Sequence, residues 1–145
     1  MTPRALTGEF SVADQVTPED FDYLVDAGFK TVICNRPDGE AEDQPEAEDL
    51  AAAAAEHGVR FVNIPVIAGA LNEDDVEAFV DALDREPKPI LAFCRTGHRS
   101  AVLWAVAMAN EMDVDDIMAA ATDAEVDLSA FRPHLEAAAA RKAWV

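Results

Sequence analysis

Apolar and polar residues follow two alternating periods along this chain. In VTPEDFDYLVDAGF (16–29), Phe21, Leu24 and Val25 keep helical spacing. Thr17 suits the N-cap, Pro18 the first helical position, and Glu19 and Asp20 the positive helix end; Gly28 suits the stop. KTVICN (30–35) is β-branched and apolar and halts at RPDG, so it reads as a short buried strand. The pattern then repeats, with an alanine-rich helix over 44–58 and a strand, VRFVNIPV, over 59–66. A helix over 72–86 follows, with Asn72 as its cap and Val76, Phe79, Val80 and Leu83 on one face.

PILAF (89–93) is the most apolar strand, and SAVLWAVAMANEM (100–112) is apolar almost all round, which predicts the most buried helix. Trp104 and Met108 should pack against the sheet. The stretch from Asp113 to Trp144 reads as two helices broken near Asp127–Ser129, and 9–15 as an added edge strand. Strands separated by helices predict an α/β fold with a mostly parallel sheet covered on both faces.

A length of 145 residues suits one domain, and a hydrophobic share of 50% supports a real core. No apolar run reaches membrane-spanning length and the first residues lack a signal-peptide core, so the expectation is a soluble, cytoplasmic protein. A formal charge of −18 argues against nucleic acid and anionic membrane as partners. It leaves room for a small anionic substrate only where a local positive site overcomes the field. The acidic cluster around 38–49 reads as a solvated face. Cys34 and Cys94 make no disulfide framework and should be thiols. His57 and His134 lack metal-ligand spacing, so neither metal nor cofactor is expected. The oligomeric state is not legible.

The chemistry concentrates in CRTGHRS, residues 94–100. Cys94 falls at the carboxyl end of a buried strand, the edge at which open α/β sheets bind ligands. The loop leads into a helix N-terminus, whose free N–H groups and dipole attract anions. Gly97 lets the loop curl, with the amides from Arg95 through Ser100, Thr96 among them, turned inward as an anion nest. Arg99 suits a bidentate grip on an oxyanion, and Arg95 adds charge or a brace. The same field favours the Cys94 thiolate, a nucleophile able to carry a transferred group. Two readings of His98 stay open: a donor to the bound anion, or a side chain turned to solvent. Asn35 and Arg36 are candidates for the pocket rim. Cys34 reads as a small core residue, with a resolving thiol as the alternative.

CRTGHRS is similar to the active-site loop of rhodanese-type sulfurtransferases and more loosely resembles the signature loop of cysteine-dependent phosphatases. Over a longer span, FSVADQVTPEDFDYLVDAGFKTVICNRPDGE, NIPV, FCRTGHRSAVLW and VDLSAF resemble the bacterial beta-lactamase-hydrolase-like phosphatase domains of the DUF442 group, also labelled sulfurtransferases. The resemblance spans roughly residues 6–136. It implies a tyrosine-phosphatase-like three-layer fold with a mostly parallel sheet of four to five strands flanked by helices.

Three features bear on the reaction. Cysteine phosphatases resemble C-x5-R, whereas Cys94 to Arg99 is C-x4-R, the rhodanese length. The histidine that usually precedes a phosphatase cysteine is Phe93 here. Dual-specificity-like phosphatases carry an acidic residue just after a strand reading like IPV, but Ile67, Ala68, Gly69 and Ala70 follow it here. Asp38 is the substitute acid if its loop folds over the site, and otherwise a turn residue. The leading expectation is therefore a sulfurtransferase carrying a persulfide on Cys94, with a small anionic sulfur donor and a thiol acceptor, small molecule or protein. The alternative is a phosphatase-like hydrolase acting on a phosphoester through a phosphocysteine. A third reading is a non-catalytic anion- or redox-sensing module.

Overall fold

The computed structural model describes residues 1–143, so Trp144, at the end of the last helical run, lies outside the described residues. Five strands form one sheet: β1 (Arg4–Ala5), β2 (Phe10–Ala13), β3 (Thr31–Cys34), β4 (Arg60–Asn63) and β5 (Ile90–Phe93). Their spatial order is β1-β2-β5-β3-β4. β1 runs antiparallel to β2, and every other pairing is parallel. The segment expected at the edge is therefore interior, since β2 pairs on both sides. The amides of Leu6 and Thr7 fold back onto the Phe10 carbonyl at 2.9 and 3.1 Å, and this turn lays the two-residue β1 alongside. A strand that short carries no period for a sequence pattern to reveal.

Among the described residues there are six α-helices: α1 (Phe21–Asp26), α2 (Ala47–Glu56), α3 (Glu73–Arg85), α4 (His98–Met108), α5 (Val114–Asp123) and α6 (Arg132–Ala143). A 3₁₀ turn, Pro18–Asp20, leads into α1, and the Asp20 carboxylate accepts the Thr17 N–H at 2.8 Å. Gly28, at φ +93°, ends this unit. Its N–H reaches the Val25 carbonyl and that of Phe29 reaches Leu24, the pairing of a Schellman stop. At α3, Asn72 Oδ1 accepts the Asp75 N–H and the Asp75 carboxylate accepts the Asn72 N–H, a reciprocal cap.

Strand side chains alternate between two cores, as a period of two requires. Ala13, Val32, Leu91 and Phe93 point to the face covered by Phe21 and Leu24 of α1 and Leu50 of α2. Val12, Ile33, Ile90 and Ala92 point to the other, covered by Phe79 of α3, Trp104 of α4, Ile117 of α5 and Leu135 of α6. Trp104 is 1% exposed and stacks on Phe10 with ring centroids 6.2 Å apart; Met108 packs at the same core's margin. The result is a three-layer α/β fold whose parallel strands all end at one edge. Among the described residues no helix is long and apolar enough to cross a membrane.

Candidate active site

The carboxyl ends of β2, β3 and β5 meet at the loop that follows Phe93. The Cys94 N–H faces the Ala13 carbonyl at 3.4 Å, and the residue is 1% exposed. Its Sγ accepts the Gly97 N–H at 3.1 Å, so the loop closes over the sulfur. The amides of Arg95 and Thr96 find no acceptor among the described residues and are open to an anion. Gly97 stands at φ +94°, a conformation that L side chains rarely adopt. A Cβ there would lie 2.5 Å from Arg4 Nη2 and 3.4 Å from the Ala13 carbonyl oxygen. This turn starts α4 at His98, two residues earlier than its apolar run predicts, and puts Arg99 in the first helical turn.

Arg4 braces the loop from the N-terminal strand. Its Nη2 donates to the Thr96 carbonyl at 2.6 Å, and its Nη1 reaches the carbonyls of Ala124 and Glu125 at 3.4 Å. The brace expected of Arg95 is thus made by Arg4, while Arg95 is exposed and joins no ion pair among the described residues. Nothing in the sequence around Arg4 marks it, because the contact crosses from the first strand to the fifth.

Arg99 is held by Glu40. Nη1 donates to Oε2 and Nη2 to Oε1, both at 2.8 Å, and Nη1 also donates to the Val66 carbonyl at 2.9 Å. This bidentate pair leads the causes that raise the Arg99 pKa, and the Cys94 sulfur adds to it. Arg36, 7% exposed, donates from Nε to the same Glu40 Oε1 at 2.9 Å and from Nη1 to Gln15 Oε1 at 2.9 Å. Arg36 therefore lies at this edge as a buried, paired cation. Within the acidic stretch expected to be a solvated face, the partly exposed Glu40 carboxylate turns onto Arg36 and Arg99.

The two arginines, Arg99 foremost, hold the Glu40 carboxyl below its ordinary range. A depressed carboxylate pKa keeps the bridge intact through neutral pH and releases it only as pH falls through that lowered value. Glu40 fixes the Arg99 guanidinium without neutralising it by proton transfer. Glu40→Gln keeps the shape and removes the charge. Thermal melting should show this variant less stable than the native chain at neutral pH, with the gap closing as pH falls through the lowered Glu40 value.

Asn35, expected on the rim, is fully buried. Its Nδ2 donates to the Ile64 carbonyl at 2.9 Å and its Oδ1 accepts the Ser100 hydroxyl at 2.8 Å. It is a strut tying β3 to the first turn of α4, and a buried amide with both ends satisfied cannot also line an open rim. The Ser100 side chain is likewise committed, which leaves only its backbone for an anion. Asn35→Leu strands the Ser100 hydroxyl and the Ile64 carbonyl. It should cost about 2 kcal/mol and lower Tm by about 5–10 °C, as read by thermal melting.

Asp38 accepts the Ala47 N–H at 2.9 Å and so serves the start of α2. That is the turn role, and a carboxylate occupied there is poorly placed to protonate a leaving group. His98 turns its ring away from the loop: Nε2 meets the Asp127 carbonyl at 3.2 Å and the ring lies 5.7 Å from Phe131. Its loop contribution is its amide, which contacts Thr96 Oγ1 at 3.3 Å. Cys34 is 3% exposed, faces the Arg36 carbonyl at 3.4 Å, and is pushed up to about 11 by burial. It stays a thiol at neutral pH, as a core residue would. His57 bridges Ala53 and Asp22, away from this edge.

The three-layer fold is tyrosine-phosphatase-like, and at the carboxyl edge of its sheet a cysteine forms the floor of a loop that opens a helix. The chain belongs to the family described as "Beta-lactamase hydrolase-like protein, phosphatase-like domain", whose model matches residues 3–111. The beta-lactamase hydrolase-like protein of Agrobacterium fabrum is 30% identical over 146 residues, 92% of this chain and 34% of that protein. A relative of the same description from Xylella fastidiosa is 30% identical over 96 residues, 66% of this chain and 22% of its own length. The chain therefore spans about a third or less of these curated relatives.

Among solved structures, a protein of Neisseria meningitidis described as a candidate phosphatase superposes with TM-score 0.84 at 36% identity, covering 93% of this chain and 96% of its own. Tk-PTP shares the fold at 14% identity (TM-score 0.73; 99% and 98% covered). So does the PP-IP phosphatase Siw14 of S. cerevisiae, at 15% (TM-score 0.62; 99% and 93% covered). At those identities they show the fold alone. These proteins carry phosphatase descriptions, so the leading expectation of sulfur transfer finds no support among them, and the phosphatase-like alternative fits better.

Proposed function

We propose that this chain hydrolyses phosphate monoesters through a phosphocysteine at Cys94. The observation that carries the proposal is the sulfur at the floor of an anion loop, with Gly97 N–H on it and Arg99 locked beside it by Glu40. The phosphoryl oxygens sit on the open amides of the loop and on the edge of Arg99 turned toward Cys94. The thiolate attacks phosphorus; the S–P bond forms, the P–O ester bond breaks, and the electron pair leaves on the alcohol oxygen, which takes a proton from solvent. Water then attacks phosphorus, the S–P bond breaks, inorganic phosphate departs and the thiolate returns. The fixed donors act most where charge builds on the phosphoryl group.

The six-residue loop length is what keeps sulfur transfer as the competing reading. Both reactions use Cys94, so one preparation assayed with 4-nitrophenyl phosphate and with thiosulfate plus a thiol acceptor separates them. The proposal expects phosphate release, and transfer from thiosulfate at background. Transfer without phosphate release reverses it.

A further inference from the structure

Arg4 and Cys94 hold the two ends of one peptide unit. Arg4 Nη2 donates to the Thr96 carbonyl at 2.6 Å, and the N–H of the same peptide, carried by Gly97, donates to Cys94 Sγ at 3.1 Å. A trans peptide is planar, with its carbonyl and its N–H pointing opposite ways. Whatever fixes the Thr96 carbonyl therefore fixes the direction of the Gly97 N–H. Left unheld, this unit can turn over at little steric cost, because Gly97, at φ +94°, accepts either sign of φ. Turned over, it would present the Thr96 carbonyl oxygen to the sulfur and to any anion on the loop.

Arg4 is itself held in place. Its Nη1 reaches the Ala124 and Glu125 carbonyls at 3.4 Å, at the C-terminal end of α5, the pole of a helix that favours a cation. Glu125 stands at φ +60° and its N–H returns to the Thr122 carbonyl, which closes the helix there. Among the described residues Arg4 joins no ion pair, so no carboxylate draws its donors away from Thr96. We infer that Arg4 is a positioning residue for Cys94: through the Thr96–Gly97 peptide it aims the Gly97 N–H at the sulfur and keeps the Thr96 carbonyl out of the anion site. A donor on the carbonyl also polarises the peptide and strengthens its N–H as a donor.

The catalytic consequence rests on the phosphatase reading; the geometry does not. Amide hydrogen exchange followed by NMR, with kinetics on 4-nitrophenyl phosphate, compares the native chain with Arg4→Met and Arg4→Lys. In Arg4→Met the Gly97 N–H should exchange about tenfold faster, the scale of one lost hydrogen bond to a charged group. The amides of Ile33 and Leu91, in the central strands, should keep their native rates, since the change is local. The same variant should lose about tenfold in kcat/KM. Arg4→Lys, which still offers one donor to Thr96, should lie between. Gly97 exchange that is unchanged in Arg4→Met, or that accelerates equally with Ile33 and Leu91, overturns the positioning role, as does full turnover by Arg4→Met; the phosphatase reading then stands. Faster exchange confined to Gly97, in a protein whose native chain releases no phosphate, keeps the positioning role and overturns the phosphatase reading.

Discussion

Cys94→Ser should lower aryl phosphate turnover by at least about 10⁴-fold, the scale on which removal of a nucleophile acts. Serine preserves the size and the Gly97 N–H contact, so the loop keeps its shape and the melting curve should stay close to that of the native chain. What is lost is the sulfur nucleophile: a hydroxyl in its place needs a base beside it, and the described residues around Cys94 offer arginines and amides. A loss of activity with an unchanged melt assigns the effect to chemistry. Substantial residual turnover would mean that water attacks the ester directly and that no phosphocysteine forms.

Arg99→Lys should cost about 10²–10³-fold in kcat/KM, comparable with removal of a transition-state donor. Lysine keeps the charge but loses the planar fork. It cannot hold both Glu40 oxygens and the Val66 carbonyl while presenting another edge to the phosphoryl group. The drop should fall mostly on kcat, because the amides of the loop still bind the anion in the ground state. A loss confined to KM would reduce Arg99 to a simple counter-charge.

Much of this fold was legible in local pattern. The alternation of Val32, Ile33 and Cys34, and of Leu91, Ala92 and Phe93, reports a sheet with two covered faces. Gly28 and Asn72 announce helix ends by chemistry confined to a few neighbours. The anion loop was legible for the same reason: cysteine, glycine and arginine fall within six residues. What escaped depends on long-range contact. Glu40 reaches Arg99 across 59 positions, and Arg4 reaches Thr96 across 92, so neither leaves a local trace. Asn35 looked like a rim residue because it follows a strand end, but its amide is spent on Ile64 and Ser100. The start of α4 departs from the pattern because the apolar run begins at Ser100, whereas Gly97 turns the backbone before it. The loop's length, read as a sign of sulfur chemistry, says nothing of how Glu40 orients the arginine.

The group that Cys94 carries distinguishes phosphoryl from sulfur transfer. Acid quenching of the native chain during turnover of an aryl phosphate, followed by mass mapping, reads this directly. A phosphoryl group on the peptide containing Cys94, absent from the peptide containing Cys34 and from Cys94→Ser, is the predicted result. A native chain that hydrolyses the ester but leaves Cys94 unmodified at every quench time, yet gains one sulfur there from thiosulfate, would contradict it.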